Sequence, residues 1–437
     1  FKAITYTGDG LTRSITGTGF KPDLVWVKGR TAAYEHYLFD SVRGATKKLS
    51  SHNSNAEGTL SNGLLSFDAD GFTTGSNADM NTIGQAYVAW CWMAGNETVT
   101  NNDGSITSNV SANPDTGFSI VKYTGNSTAG TTIGHGLANT PKLVMYKRLD
   151  IARSWPVYTA DVGPTKRLIL NSTGGAVTNT TLWNSTAPSN TLLTLGTDAD
   201  TNTSGGNYIA YCFAEVPGVS SMGSYTGNGS TAGPVINCGF RPAYVMIKKH
   251  SASGGYWAIF DNYRDTANPN NHVLYANSNQ AEVTSGSNIV DITSTGFQLK
   301  GAGASVNSSS AGYIYMAVAE REEPEISFSS DKTTIDYSIP ESANLSWDVL
   351  NVGQGIVTIE PGIGQVNASV PSYLVSPSIS TTYTLTVTIG EFSFSKQVHI
   401  DVTNGYDQAG TFTLDGKMGI GKLNPQHELE VNGTIKA

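Results

Sequence analysis

Four landmarks recur three times along this 437-residue chain, in the same order and about a hundred residues apart. YTGDG at Tyr6 returns as YTGNS at Tyr123 and YTGNG at Tyr225. A proline and an apolar run with a basic end follow: KPDLVWVKGR from Lys21, TPKLVMYKR from Thr140, RPAYVMIKK from Arg241. Next comes an aromatic and acidic segment, YLFDSVRGATKKL from Tyr37, WPVYTADVGPTKRLIL from Trp155 and WAIFDNYRD from Trp257. Each unit closes on a Tyr-led run: YVAWCW from Tyr87, YIAYCFAE from Tyr208, YIYMAVAE from Tyr313. Units of this length can bury a core of their own, so an array of whole domains is expected rather than a solenoid.

The runs are short, rich in Val, Ile, Tyr and Trp, and separated by Gly, Ser, Thr and Asn, the composition of strands and tight turns. An all-β chain is expected, with no long helical period and no apolar stretch able to span a bilayer. Alternation in Asp23 to Lys28 implies a strand with one wet face. The near-continuous apolar run Tyr87 to Trp92 implies a strand buried on both sides, as in a jelly-roll-like sandwich. The net charge of −9 argues against nucleic acid as a partner. The pairs Lys47-Lys48, Lys147-Arg148 and Lys248-Lys249 read as solvated strand ends. Cys91 and Cys212 fall at one position of the closing run, where the third copy has Ala317, so they read as core thiols; Cys238 has no assigned role. No cofactor is implied.

The expected boundaries are a first repeat over 1–98, a linker over 99–117, and further repeats over 118–216 and 217–322. A sandwich over 323–403 and a C-terminal segment over 404–437 complete the chain. The start at Phe1, already inside a strand, suggests a segment of a longer polypeptide.

The pattern YTGNGS, GFRPAYVMIKK, WAIFDNYRD with NPNN, and GYIYMAVAE resembles a repeated domain of unassigned function from tail-fibre-like virion proteins of tailed bacteriophages. From Ile326, LSW at Leu345 and TYTLTV at Thr382 resemble disulfide-free immunoglobulin-like domains. GTFTLDGKMGIGKLNPQHELEVNGTIKA resembles the stretch that precedes the endosialidase-type intramolecular chaperone of phage fibres and spikes. That last resemblance implies an intertwined homotrimer, with Ile420, Leu429, Val431 and Ile435 in contact between chains, and a C-terminus left by self-cleavage. The resemblances together imply a virion-located, extracellular fibre protein whose partners are its own copies, other virion proteins and a host cell-surface glycan.

Asp68-Ala69-Asp70 and Asp198-Ala199-Asp200 lack the rest of a calcium loop and read as turns. Asp40 and Asp261 recur with the repeat, which points to a role in the fold rather than to glycoside cleavage. No nucleophile elbow, zinc motif or phosphate loop occurs, so no enzyme is expected. Candidate sugar-stacking residues are Tyr34, Tyr37, Trp155, Tyr256 and Trp257, beside loops rich in Gly, Ser and Asn. Their competing assignment is to the core. Two further readings stay open: a tailspike-like polysaccharide depolymerase and a secreted bacterial adhesin.

Overall fold

In the computed structural model, the structure describes residues 1–319, 324–336, 339–350, 352, 355–389 and 392–403, with the backbone of 411–414, 417–420 and 429–431. The protein is all-β: among the described residues the one helix is the single turn Ala78–Asn81. Two compact bodies divide after residue 321.

Each repeat of the first body pairs a larger antiparallel sheet with a smaller one. In the first repeat the larger sheet runs Lys2–Thr7, Ala86–Trp92, Leu24–Gly29, His36–Asp40. The second and third repeats keep that order and extend it, the third as Ser220–Thr226, Gly312–Ala319, Pro242–Lys249, Trp257–Asp261, His272–Tyr275, Val283–Thr284. The proline landmark opens the strand at a bulge, between Pro141 and Leu143 and again between Pro242 and Tyr244, where its missing N–H leaves no gap in the ladder. Residues 99–117, expected as a linker, instead contribute strands Val99–Asn101 and Ser108–Asn113 to the edge of the second repeat's sheet.

The YTG landmark acquires a cause. Tyr6, Tyr123 and Tyr225 stack on the closing-strand tyrosines Tyr87, Tyr208 and Tyr313 at 5.2, 5.2 and 5.1 Å. Their hydroxyls donate to the carbonyls of Met80, Thr201 and Val306. A Cβ on the glycine that follows would lie 2.2 Å from Thr82 O at Gly8, 2.5 Å from Thr203 O at Gly125 and 2.3 Å from Ser308 O at Gly227, so no side chain fits there.

The central strands are buried on both faces. Along Asn207–Ala214, Tyr208, Ala210 and Cys212 point into the second repeat's own core, while Ile209, Tyr211 and Phe213 join a second core. That second core is common to all three repeats, drawing on Trp26, Trp90, Phe118, Trp155, Tyr244 and Trp257 among others. The wet face expected for Asp23 to Lys28 is therefore absent: Leu24–Gly29 is buried at every position. Cys91 and Cys212 are buried free thiols and Ala317 is equally enclosed.

The contacts between repeats run in a cycle. Backbone amides of Glu57, Ala176 and Glu282 donate to the carbonyls of Leu149, His250 and Arg30, at 2.9, 2.7 and 2.8 Å. The first repeat thus reaches the second, the second the third, and the third returns to the first. The body is a closed ring of three sandwiches about a shared apolar axis.

The second body contains a two-sheet sandwich. One sheet is Glu325–Ser330, Ala343–Leu350, Ser369–Val375; the other is Thr334–Asp336, Phe392–Thr403, Thr381–Ile389, Ile356–Glu360, Gly364–Val366. The split first strand, half in each sheet with its second half parallel to the last strand, is an immunoglobulin-like arrangement. Leu345, Trp347, Leu385 and Val387 pack between the sheets without a disulfide. Farther on, Lys417–Ile420 pairs antiparallel with Thr411–Leu414 and parallel with Leu429–Val431, placing Ile420 opposite Val431 and Leu429 opposite Met418. The side chains of Ile420, Leu429 and Val431, and all of Ile435, lie outside the described residues.

Candidate functional site

Of the five aromatic residues expected on a sugar-binding face, three lie inside. Trp155 and Trp257 are 0% and 1% exposed in the shared core. Each donates its indole N–H across a repeat boundary, Trp155 to Ser50 O and Trp257 to Ile169 O, both at 3.0 Å. Tyr37 is buried and donates its hydroxyl to Asp79 at 2.9 Å. Trp155 and Trp257 fasten the ring, Tyr37 is held within the first repeat, and all three are buried away from any ligand face. Tyr34 is half-buried against Tyr87, and Tyr256, 37% exposed, packs on Tyr275 at 4.6 Å. The five do not form one surface.

The basic ends of the Pro-led strands are also interior, which corrects their reading as solvated ends: Lys147, Arg148, Lys248 and Lys249 are all buried. Lys47 and Lys48 alone are partly exposed. Lys28, Lys147 and Lys248 hold one position of the repeat. Lys28 donates to Gly29 O at 2.7 Å, Lys147 to Ser54 O at 2.9 Å and to Arg153 O, and Lys248 to Ser172 O at 3.2 Å and Gly255 O at 2.5 Å. Lys147 and Lys248 lie over Trp155 and Trp257, a place that His36 takes in the first repeat. Burial pulls Lys28 and Lys248 down to about 7 and Lys147 to about 8.

Two of the three junctions carry a buried ionic cluster. Asp40 accepts from Arg43 Nε at 2.5 Å and from the Tyr211 hydroxyl of the next repeat at 2.7 Å, with Glu57 3.3 Å from Arg43. Asp261 accepts from Arg264 Nε at 2.6 Å and from Trp90 Nε1 of the first repeat at 2.9 Å, with Glu282 2.7 Å from Arg264. Burial alone would raise Glu282, yet bonds from Arg30 and Arg264 hold it below the usual carboxylate range. At the third junction the corresponding residues are Thr159, Val162, Ala176 and Met316, and all four ionic or donor groups disappear together. Asp40 and Asp261 therefore serve the fold.

The acidic turns behave as turns. Asp70 accepts from the amides of Gly17 and Gly19 at 3.1 and 2.6 Å, and Asp198 from the amide of Asp200 at 2.9 Å. They are not equivalent places: Asp68 to Asp70 form a hairpin tip, while Asp198 to Asp200 match Asn77 to Asp79 before the closing strand. Among the described residues no group of three or more His, Cys, Asp or Glu side chains is placed to hold a metal.

One polar cleft opens on the third repeat. Its volume is about 190 Å³, and Arg241, Asn262, Asp265, Asn268, Asn270 and Ile292 line it. Asn268 and Asp265 are fixed: Asn268 accepts from Ile292 N at 2.8 Å, and Asp265 from Asn271 N at 2.9 Å. The Oδ1 atoms of Asn262 and Asn270 are buried without a protein donor. Sequence reasoning quoted NPNN but assigned it no role; its signal was four residues that the other two repeats lack. A second set it missed is Asn81, Asn202 and Asn307, fully buried, whose Oδ1 accepts from Asp9 N, Asn126 N and Asn228 N just past the YTG landmark. Each stands six residues before the closing-strand tyrosine, a spacing visible in the sequence.

The pattern that defines one protein family, the domain of unknown function DUF7483, matches residues 1–323. The chain belongs to this family. One match covers all three repeats, so the DUF7483 unit corresponds to the closed ring and not to a single sandwich. No curated protein matches the chain. No helix among the described residues is long and apolar enough to cross a membrane.

Proposed function

We propose that this chain is a non-catalytic structural component of a bacteriophage fibre, assembled as a homotrimer through its C-terminal segment, that contributes to recognition of a host-surface glycan. The observation that carries the reading is the closed DUF7483 ring. Each repeat commits its inner face to its neighbours, which leaves a closed block in which the recurring acids Asp40 and Asp261 are bonded at the junctions and Asp70 and Asp198 within turns. Such a block, repeated in a multimer, suits display of a weak site that gains strength by multivalency. The segment GIGKLNPQHELEVNGTIKA, by its resemblance to the stretch before a trimerising chaperone, supports three chains per fibre.

Antibody labelling of particles in the electron microscope tests the location, and light scattering of the purified chain tests the assembly. Label on a projecting fibre and about three chains per particle are expected. A stable monomer with residues 404–437 intact, or particles without label, would remove the reading. Loss of viscosity when the chain is incubated with host capsule would replace it with a depolymerase.

A further inference from the structure

Each repeat sends one ring nitrogen across its junction from the same place in the fold. Trp155 reaches Ser50 O of the first repeat, and Trp257 reaches Ile169 O of the second. In the first repeat that place belongs to His36, whose Nε2 lies 3.0 Å from Tyr275 O and 3.1 Å from Ser278 O of the third. An indole stays a neutral donor as pH falls, whereas an imidazole takes up a proton. The chain itself joins the first repeat to the second and the second to the third. The junction held by His36 is therefore closed by contacts alone.

The surroundings of His36 fix its protonation. Carbonyls only accept, so Nε2 carries the proton, and Nδ1 accepts from Trp26 Nε1 at 2.9 Å, so it is bare. The ring is fully buried. A second proton, on Nδ1, would face the indole N–H and break that bond. It would also add a charge beside Lys28 on the paired strand and His52, whose ring lies 6.0 Å away. Asp79, Glu282 and Arg264 act on Lys28, and Glu35, Asp79, Lys28 and Lys48 on His52, while the third repeat offers His36 its two carbonyls. Burial first, then Lys28 and His52, holds His36 well below the ordinary histidine range.

We propose that the seam between the third and first repeats is an acid latch: a proton on His36 Nδ1 releases Trp26 and opens this junction, while the two junctions fastened by indoles stay closed. The sign follows from linkage. Once the seam opens, His36 regains its ordinary pKa of about 6.5, so the open form binds more protons than the closed one. The seam is at full strength above about pH 6.5. Below that, its closing equilibrium weakens by up to about tenfold per pH unit until the pKa of the closed form is reached.

Equivalent amides report on the three junctions: Glu282 N to Arg30 O at this seam, Glu57 N to Leu149 O and Ala176 N to His250 O at the others. The first-to-second junction buries Asp40, Arg43 and Glu57, so it controls for protonation of the carboxylates Asp261 and Glu282 beside Arg264 at the seam. Hydrogen exchange of the full chain between about pH 6 and pH 4.5, read as protection factors, should show Glu282 losing about tenfold per pH unit, with Glu57 and Ala176 changing less than about threefold. His36→Gln, which cannot titrate, should hold Glu282 as steady as Glu57 over the same range. Nitrogen-15 spectra of the histidine rings, which need no variant, should show His36 as the Nε2–H tautomer at neutral pH. Equal loss at all three amides, no loss at Glu282, a retained pH dependence in His36→Gln, or an Nδ1–H tautomer would overturn the latch.

Discussion

Arg43 makes the logic of the repeat junctions measurable. Its guanidinium bonds Asp40 at 2.5 Å, Leu38 O at 3.0 Å, Lys47 O at 2.9 Å and Glu57 at 3.3 Å, and the Arg43 and Asp40 side chains are both fully enclosed. Arg43→Val strands the Asp40 charge in the interior. Removing one partner of a buried pair costs about 3–5 kcal/mol. The residues at the third junction supply the control. Asp40→Thr, Arg43→Val, Glu57→Ala and Tyr211→Phe made together recreate its uncharged character, with Phe keeping the ring that Met316 does not have. No charge is then left behind, and the loss reduces to one donor each at Leu38 O, which keeps the Leu49 amide, and Lys47 O, and to the acceptor of the residue-43 amide, roughly 1–3 kcal/mol. Urea denaturation of the full chain should place the fourfold variant above the single one by about 2 kcal/mol, a coupling of the size seen between residues in one network. A fourfold variant as unstable as Arg43→Val would refute the claim that charge burial, rather than packing, sets the cost.

The three interior lysines should tilt stability with pH. In the unfolded chain they keep their protons to about 10.5, while in the fold Lys28 and Lys248 release theirs near 7 and Lys147 near 8, so the unfolded state binds more protons and stability rises from pH 7 to 9. Each lysine adds at most about 1.4 kcal/mol per pH unit, and denaturation midpoints flat across that range in wild type would contradict the burial. Trp155→Phe should cost about 1 kcal/mol through its lost bond to Ser50 while leaving glycan binding unchanged; loss of binding at equal stability would return that residue to the ligand site. The thiols of Cys91 and Cys212, raised by burial, the latter to about 12, should react with a thiol reagent only as the body unfolds; fast labelling of the native protein would dispute their place in the core. The second repeat made alone, residues 99–216, exposes Phe118, Met145, Trp155, Tyr211 and Phe213 and should aggregate or self-associate; a well-behaved monomer by light scattering would undo the shared core.

The element types were legible because strand signals are local. Alternation, β-branched residues and Gly-rich turns identified the all-β class, and the landmarks marked the same strands in every repeat. The wet face assigned to Asp23 through Lys28 failed because a polar side chain at a strand end looks the same whether water or a buried carbonyl receives it, as Gly29 O receives Lys28. Lys147 reaches Ser54, which is 93 residues away in the chain. Trp155 and Trp257 were candidates for a sugar face because a single repeat has no partner to cover them.

The cleft was illegible for the opposite reason. NPNN reads as turn chemistry, and only the strands on either side show that this turn is longer than its task requires. Asn81, Asn202 and Asn307 were within reach, since an invariant interval before a repeated tyrosine is a pattern in one dimension. What the sequence by itself determined is the threefold recurrence, the chain order of the strand-forming landmarks within each copy and the small buried position shared by Cys91, Cys212 and Ala317, because neighbours along the chain set those. What only the tertiary structure decided is that the copies close on one another. Ring closure depends on which apolar face is left over once each sandwich is built, and that face exists only after the sheets have formed.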